Sequence, residues 1–303
     1  MGNSGRGSGG FLARQSARRG KVSMSAPSVD HIALEQRTVG LVNQGRLREA
    51  EEIYRKIIAA GTRNHAVYDS LAAICGMQGR FDEAVALLGE ALQLRPGCPD
   101  AHNSLGNALK GLGDLDAAIA AYNKALELRP DFPEAHNGLG NAFNAQGNLN
   151  AAIASYSKAL ELKLNYPEAL SNLGNAFHGQ GNLGAAVASC NKALELRPGF
   201  PEAHNNLGNA LKGLGDLDAA IASYNKALEL RPDFPEAHNG LGNAFKAQGN
   251  LNAAIASYRK ALKFRPDFSA AYYNLGNAFQ EQGDLDAAIA SYNKALELRP
   301  GFP

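Results

Sequence analysis

The sequence predicts an all-α fold, a solenoid in which eight helical hairpins stack one on the next. The tetrapeptide Leu-Gly-Asn-Ala recurs at intervals of 34 residues, first at Leu105 and last at Leu275. A period between roughly 20 and 50 residues is typical of units that bury their apolar faces against their neighbours. Looser units precede these copies, so the predicted repeats are 31–64, 65–98, 99–132, 133–166, 167–200, 201–234, 235–268 and 269–302.

Each repeat has the pattern of two helices, as repeat 201–234 illustrates. Leu207 and Leu211 belong to an apolar stripe at helical spacing. Gly215 interrupts the stripe, and glycine readily adopts the left-handed backbone that ends a helix. Asp216 then suits the start of the next helix, because its carboxylate accepts hydrogen bonds from free backbone amides. Pro232 ends the second helix, since proline cannot continue the hydrogen-bond ladder.

Two small residues recur in every repeat. The glycine between the helices is found at Gly45, Gly79, Gly113, Gly147, Gly181, Gly215, Gly249 and Gly283. The alanine in the second helix is found at Ala50, Ala84, Ala118, Ala152, Ala186, Ala220, Ala254 and Ala288. A small side chain at the second place lets two helices approach closely, near the short end of the usual separation of roughly 8–10 Å.

This pattern resembles the tetratricopeptide repeat (TPR), which has small residues at its eighth, twentieth and twenty-seventh positions and proline at its thirty-second. In repeat 201–234 these places hold Gly208, Ala220, Ala227 and Pro232. The resemblance extends over residues 31–302, with an irregular first repeat. It implies a right-handed superhelix of helix-turn-helix units whose first helices line an inner, concave surface.

A longer period of 102 residues is superimposed on the repeats. Repeats 99–132 and 201–234 differ at three positions, and repeats 133–166 and 235–268 are also close in sequence. We infer that a block of three repeats was copied within this chain. Near-identical units predict a uniform surface rather than one specialised pocket.

The candidate binding residues are asparagines and lysines at repeated places on the first helices. One set, called here the inner asparagines, comprises Asn107, Asn141, Asn175, Asn209, Asn243 and Asn277. A second set, the outer asparagines, lies four residues earlier on the same helix face and comprises Asn103, Asn137, Asn205 and Asn239. The strip is extended by Lys110, Lys212 and Lys246. Because amides both donate and accept hydrogen bonds, such a ladder suits the backbone of an extended peptide.

Two roles remain open for these amides. For the inner asparagines, peptide binding and the linking of neighbouring repeats are equally good interpretations, whereas for the outer set we favour display on the surface. The sequence therefore predicts a protein–protein interaction scaffold or adaptor, which binds an extended peptide or partner segment in the concave groove.

A second resemblance implies an alternative function. The asparagine-rich face is similar to the array that precedes the catalytic domain of O-linked N-acetylglucosamine transferases, and to bacterial arrays, including cyanobacterial ones, fused to glycosyl- or sulfotransferase domains. The alternative is therefore a substrate-recruiting region of a transferase whose catalytic domain lies outside this chain. Members with a carboxylate clamp have lysine where the outer asparagines stand, so binding of an acidic C-terminal tail is not expected.

Catalysis within these 303 residues is not expected. The sequence contains no GxxxxGK[ST] phosphate loop, no HExxH and no GxSxG. Acidic and histidine side chains recur at like positions, whereas an active site needs unlike groups that converge on one point. We therefore expect no enzyme activity and no cofactor.

Histidines and cysteines are the remaining candidates for chemistry. The histidines at one repeated place are His102, His136, His204 and His238. They stand where the family has a packing aromatic ring, so packing between hairpins is a simpler interpretation than a metal site. The three cysteines, Cys75, Cys98 and Cys190, are too few and too scattered for a disulfide framework, and we expect buried, reduced thiols.

Charge and composition limit the partners and the compartment. The net charge is +1, and a near-neutral body argues against nucleic-acid binding. No apolar stretch is long enough to cross a membrane. Residues 1–30 form a basic tail rich in Gly, Ser and Arg, for which we expect disorder. We predict a cytoplasmic protein, or alternatively an organelle-targeted one whose tail is a transit peptide; a start at Met24 is a further alternative.

The last repeat is predicted to expose apolar side chains. Ile289, Tyr292 and Leu296 occupy the face that a following unit covers in a solenoid. The sequence therefore predicts either self-association through this face or continuation into a longer protein.

Overall fold

The computed structural model describes residues 34, 37–38 and 40–301, and within them all regular secondary structure is helical. The predicted all-α fold is therefore confirmed. The chain divides into two compact units, residues 1–67 and 68–303. The predicted disordered tail at residues 1–30 lies outside the described residues, as does part of repeat 31–64.

Fifteen helices have complete bounds within the described ranges. They are α1 (Leu47–Ala59), α2 (His65–Met77), α3 (Phe81–Leu94), α4 (Pro99–Leu112), α5 (Leu115–Leu128), α6 (Pro133–Ala145), α7 (Leu149–Leu162), α8 (Pro167–Gly179), α9 (Leu183–Leu196), α10 (Pro201–Gly213), α11 (Leu217–Leu230), α12 (Pro235–Ala247), α13 (Leu251–Phe264), α14 (Ser269–Gln282) and α15 (Leu285–Leu298). In the first unit, α1 buries Ala50, Tyr54 and Ile57 along one face.

The second unit is a solenoid of paired helices. From α4 onward, the two helices of each repeat pack against each other, and the second helix packs against the first helix of the next repeat. First helices of consecutive repeats also contact each other, as α10 and α12 do. The pairing follows the 34-residue register, as the sequence predicted.

The turn inside each hairpin is built from a glycine and a capping side chain. All eight repeated glycines have positive φ, for example 84° at Gly215, where other residues would be strained. Asp216 then caps α11, accepting a hydrogen bond from the backbone amide of Ala219 at 3.1 Å. Both predicted roles are confirmed.

A tyrosine ring fills the core of the typical hairpin. Tyr224 is fully buried with Ala220 and packs with Leu241 and Ala244 of the next repeat. A Cβ atom at Gly208 would lie 2.7 Å from the Tyr224 ring, and one at Gly240 would lie 2.5 Å from it. The ring therefore requires glycine on both sides, one from its own repeat and one from the next.

At the end of the second helix of the same repeat, an arginine contacts an acidic residue and an aromatic ring. Arg231 forms an ion pair with Glu202 at 2.7 Å, and its guanidinium lies 3.6 Å from the centroid of the Phe234 ring. Equivalent pairs recur along the array, for example Arg129 with Asp100. These pairs are partly exposed, so each contributes little to stability, roughly 0–1 kcal/mol.

Candidate functional site

The inner asparagines face a tyrosine of their own repeat. The Tyr224 hydroxyl donates a hydrogen bond to Oδ1 of Asn209 at 2.7 Å. The same bond is formed by Tyr122 to Asn107, Tyr156 to Asn141, Tyr258 to Asn243 and Tyr292 to Asn277. Each bond joins the second helix of a hairpin to its first, so these amides stabilise the hairpin. Their use in peptide binding stays a prediction.

Asn175 is the exception in this set, because its repeat has Cys190 where the others have tyrosine. The Cys190 thiol is fully buried, and burial raises its pKa to about 12. A Cβ atom at Gly174 would lie 2.6 Å from the Cys190 sulfur. The smaller side chain therefore still fills the space beside this glycine, but it leaves Asn175 without the tyrosine bond.

The outer asparagines lie where first helices of consecutive repeats meet. Asn172 donates a hydrogen bond from Nδ2 to Oδ1 of Asn137 at 3.0 Å, and Asn274 donates one to Asn239 at 3.0 Å. The donors come from the following repeat, 35 residues later. These four amides thus form two rungs of a polar ladder across the first helices.

The other two outer asparagines have no such donor. Thirty-five residues after Asn103 and Asn205 come Gly138 and Gly240, which have no side chain to donate a hydrogen bond. Among the described residues, the Oδ1 atoms of Asn103 and Asn205 are buried without a hydrogen-bond partner. Asn205 is only 7% exposed, so the expectation of open surface display is wrong for it. Its helix α10 packs between α8 and α12, the first helices of the preceding and following repeats.

The lysines of the strip are held in different surroundings. Lys110 and Lys212 are half-buried, and burial lowers the pKa of Lys110. Lys246 forms an ion pair with Glu281 at 2.7 Å. His178 occupies the same repeat position, and burial, with a smaller effect of Lys212, lowers its pKa. The sequence analysis missed His178, although the 34-residue register places it two repeats after Lys110 and one repeat before Lys212.

The histidines at the fourth repeat position bond to the chain just before their own helix. Nε2 of His102, His136, His204 and His238 lies 2.9–3.1 Å from the carbonyl oxygen of the preceding proline. In the described part of the chain, no three His, Cys, Asp or Glu side chains are grouped so that they could hold a metal ion. Cys75, Cys98 and Cys190 are buried, and none of them forms a disulfide within the described residues.

No helix within the described ranges is long and apolar enough to span a lipid bilayer. This finding agrees with the hydropathy of the sequence.

The structural comparison identifies a related fold. The crystal structure of the APC/C hetero-tetramer Cut9-Hcn1 contains a chain that matches 91% of this one with a TM-score of 0.72 and 18% sequence identity. The match covers 55% of that chain, so this protein spans about half the length of its structural relative. In all, 521 solved chains match, so the fold by itself does not indicate an activity. No curated protein matches the sequence.

Three family models cover most of the chain. A model described as the C-terminal domain of cilia and flagella-associated protein 70 matches residues 6–240, which is more than half of the chain. A TPR repeat model matches residues 242–283, and a tetratricopeptide repeat model matches residues 269–302. With the 34-residue register, the turn glycines and the paired helices described above, these matches show that the chain belongs to the family of tetratricopeptide-repeat proteins.

Proposed function

We propose that this protein is an interaction scaffold that holds an extended segment of a partner protein against its first helices. The observation that carries the proposal is the pair of unpaired amide oxygens, Oδ1 of Asn103 and Oδ1 of Asn205. A buried acceptor without a donor costs roughly 1–3 kcal/mol. A peptide N–H that reached either oxygen, after a rotation of the amide, would remove that cost.

The neighbouring amides support the same mode of binding. Asn137 and Asn239 already have one donor each, from Asn172 and Asn274, and they keep further capacity because an amide oxygen has two lone pairs. Bonds of this kind recognise the backbone of a ligand, so the scaffold accepts different partner sequences. The half-buried cations Lys110 and Lys212 lie at the ends of their first helices, where an acidic side chain of the ligand would be stabilised.

The test begins with extended peptides selected from a displayed library against the full chain. Their affinities are then measured by isothermal titration for the wild type and for the variant Asn103→Ala with Asn205→Ala. We expect about tenfold weaker binding, since each lost hydrogen bond contributes roughly 0.5–1.5 kcal/mol. Among the described residues, the double variant removes no hydrogen bond to either oxygen, and the contact it removes is the one from Nδ2 of Asn205 to Oδ1 of Asn206 at 3.5 Å. A contact this long is weak, so the loss is assigned to binding.

Asn191→Ala is the matched control, because Asn191 is exposed on the second helix α9 and lies away from the strip. Selected peptides that bind the double variant as tightly as they bind the wild type would place their site elsewhere and refute the proposal. Thermal melts of all variants verify that the fold is retained.

A second function, self-association, is supported by the last described helix. Leu285 is 61% exposed and Ile289 is 57% exposed on α15. We expect sedimentation velocity to detect a concentration-dependent dimer, and Leu285→Lys to abolish it. A wild-type chain that sediments as a monomer at every concentration would exclude this interface. The transferase alternative rests on resemblance alone. A reducing compartment is supported by the three buried cysteines, which form no disulfide among the described residues.

A further inference from the structure

A cavity of about 630 Å³ lies on the surface of the second helices, between α11, α13 and the start of α12. Its apolar lining includes Leu228, Leu241 and Phe264. Its charged lining consists of Glu229, whose carboxylate is already paired with Lys226 of the same helix at 2.8 Å, and of Lys260 and Lys263. The neutral polar lining consists of Asn225, His238 and Ser257. The first-helix strip contributes none of these residues, so the cavity is a separate feature of the array.

His238 gives the cavity an unpaired polar atom. Its ring is stacked on Phe264 with centroids 5.6 Å apart, and the side chain is only 5% exposed. Nε2 lies 2.9 Å from the carbonyl oxygen of Pro232, and because a carbonyl only accepts, Nε2 carries the proton of the neutral ring. Nδ1 then holds a lone pair, and within the described chain this buried atom has no hydrogen-bond partner.

Two lysines that form no ion pair in the described part of the chain line the same cavity, and Nζ of Lys263 lies 5.8 Å from the centroid of the Phe264 ring. In α11 the corresponding positions hold Lys226 and Glu229, which form an ion pair at 2.8 Å. In α13 they hold Lys260 and Lys263, two exposed like charges one turn apart. No ion pair is formed by either ammonium within residues 40–301. Like charges at this spacing destabilise a helix by only roughly 0.2–0.5 kcal/mol, and both ammonium groups are available to an anionic ligand.

The whole repeat is basic, unlike its neighbours. Residues 235–268 contain five Lys and Arg against two Asp and Glu. Residues 201–234 contain three against five, and residues 269–302 contain two against four. The expectation of a uniform surface therefore does not hold for this repeat, which presents a basic site between two acidic units.

The chain contains a natural control for this site. Repeat 133–166 is the copy of repeat 235–268 in the 102-residue period, and it has Glu161 and Leu162 where the later copy has Lys263 and Phe264. His136 makes the same bond to its proline carbonyl, at 3.1 Å, but is more exposed than His238. The two repeats differ at eight positions, but among the residues that line the cavity the copies differ at these two. We call the corresponding place in repeat 133–166 the twin of the site.

We propose that this cavity binds an acidic segment of a partner protein that carries one apolar anchor side chain. The carboxylates pair with Lys260 and Lys263, the anchor packs on Leu241 and Phe264, and a backbone N–H of the segment donates to Nδ1 of His238. A short acidic peptide suits this site better than nucleic acid, because nucleic acid requires a basic face larger than two lysines. The site is independent of the first-helix strip.

The test is isothermal titration of the full chain with the peptide acetyl-Glu-Glu-Leu-Glu-Glu-amide. The comparison ligands are the lysine counterpart, acetyl-Lys-Lys-Leu-Lys-Lys-amide, and a thymidine decanucleotide. Lys263→Glu with Phe264→Leu converts the site into its twin, and Glu161→Lys with Leu162→Phe builds the site in the twin. Lys192→Glu reverses a charge on α9, outside the cavity, and is the matched control.

We expect the acidic peptide to bind the wild type. Its affinity for the variant at 263 and 264 is expected to be at least about tenfold lower, and its affinity for the Lys192→Glu control within about twofold of wild type. The variant at 161 and 162 is expected to bind two peptides per chain. The proposal is overturned if the acidic peptide does not bind at about 1 mM, or if the variant at 263 and 264 binds it as tightly as the wild type does. It is also overturned if the basic peptide binds equally well, or if the oligonucleotide binds more tightly than the acidic peptide. The alanine variants at 103 and 205 leave this binding unchanged, which separates it from the proposed function.

Discussion

Replacing Tyr224 by phenylalanine removes one hydroxyl from the middle of repeat 201–234 and leaves the ring in place. In the native protein this hydroxyl donates to Oδ1 of Asn209 at 2.7 Å, and the tyrosine is fully buried. Burial also raises the pKa of the phenol, so the group stays protonated as a donor at any physiological pH. The substitution therefore deletes one hydrogen bond between the two helices of a hairpin.

The expected loss of unfolding free energy is about 0.5–1.5 kcal/mol, the net contribution of a neutral hydrogen bond inside a protein. The upper half of this range is the better expectation, since Asn209 is half-buried and its oxygen loses its donor without full access to water. Packing contributes little to the change, because the phenylalanine ring fits the same space between Gly208 and Gly240.

The assay is urea denaturation followed by circular dichroism, with Tyr224→Phe, Asn209→Ala and the double variant in one cycle. The cycle isolates the coupling between the two side chains, which we expect at about 0.5–1.5 kcal/mol. Ser223→Ala is the matched control, since it removes a hydroxyl from the adjacent buried residue. The Ser223 hydroxyl donates to the carbonyl of Ala219 in its own helix, so its loss leaves stability unchanged or slightly higher.

Additive effects of the two single variants would refute this reasoning. Asn209 would then not stabilise the hairpin, and the inner asparagines would be free for a ligand. A Tyr224→Phe variant with an unchanged transition would lead to the same conclusion.

Three further predictions follow from the packing of single residues. Gly240→Ala places a Cβ atom 2.5 Å from the buried Tyr224 ring, and we expect this overpacking to destabilise the fold by about 1–3 kcal/mol and to lower the melting temperature. Gly89→Ala, which meets nothing within 4 Å, is the control and is expected to raise the melting temperature. The Cys190 thiol, with its pKa raised to about 12, is expected to resist iodoacetamide at pH 8 in the folded chain, and mass spectrometry that finds rapid native alkylation would contradict its burial. Ile221 and Ile289 occupy the same place in α11 and α15, which have the same sequence. In thermal melts of the monomer, we expect Ile221→Ser to lower the free energy of unfolding by more than about 1 kcal/mol and Ile289→Ser by less than about 0.5 kcal/mol. Equal losses would mean that packing against the following repeat does not stabilise α11.

The fold could be predicted from sequence because its determinants are local and repeated. Gly215 ends one helix and Asp216 begins the next through contacts within four residues, and the same pair of signals recurs at a fixed interval. The register then decides which helices pack together. The packing of each repeat against the next could also be predicted, because a repeat can bury its apolar face only against its neighbour.

The site could be predicted only in part, because one residue type serves several purposes. Whether an outer asparagine is paired depends on the residue 35 positions later, which is Asn172 for Asn137 but Gly138 for Asn103. Likewise, the contact of Phe264 with His238 joins residues on different helices and depends on how the two elements pack. Such contacts are visible only in three dimensions, so sequence spacing located the strip without assigning the role of each amide.

The near-identity of helices in distant repeats has a consequence for how the chain reaches its native state. α5 and α11 differ at one residue, and α6 and α12 also differ at one, so α12 can dock on α5 with nearly the native contacts. That mispairing closes a loop of about a hundred residues instead of four, which costs only about 3 kcal/mol more in chain entropy. Out-of-register intermediates are therefore low enough in energy to be populated during refolding, and rapid, sequential docking of neighbours is what keeps the chain on the correct path.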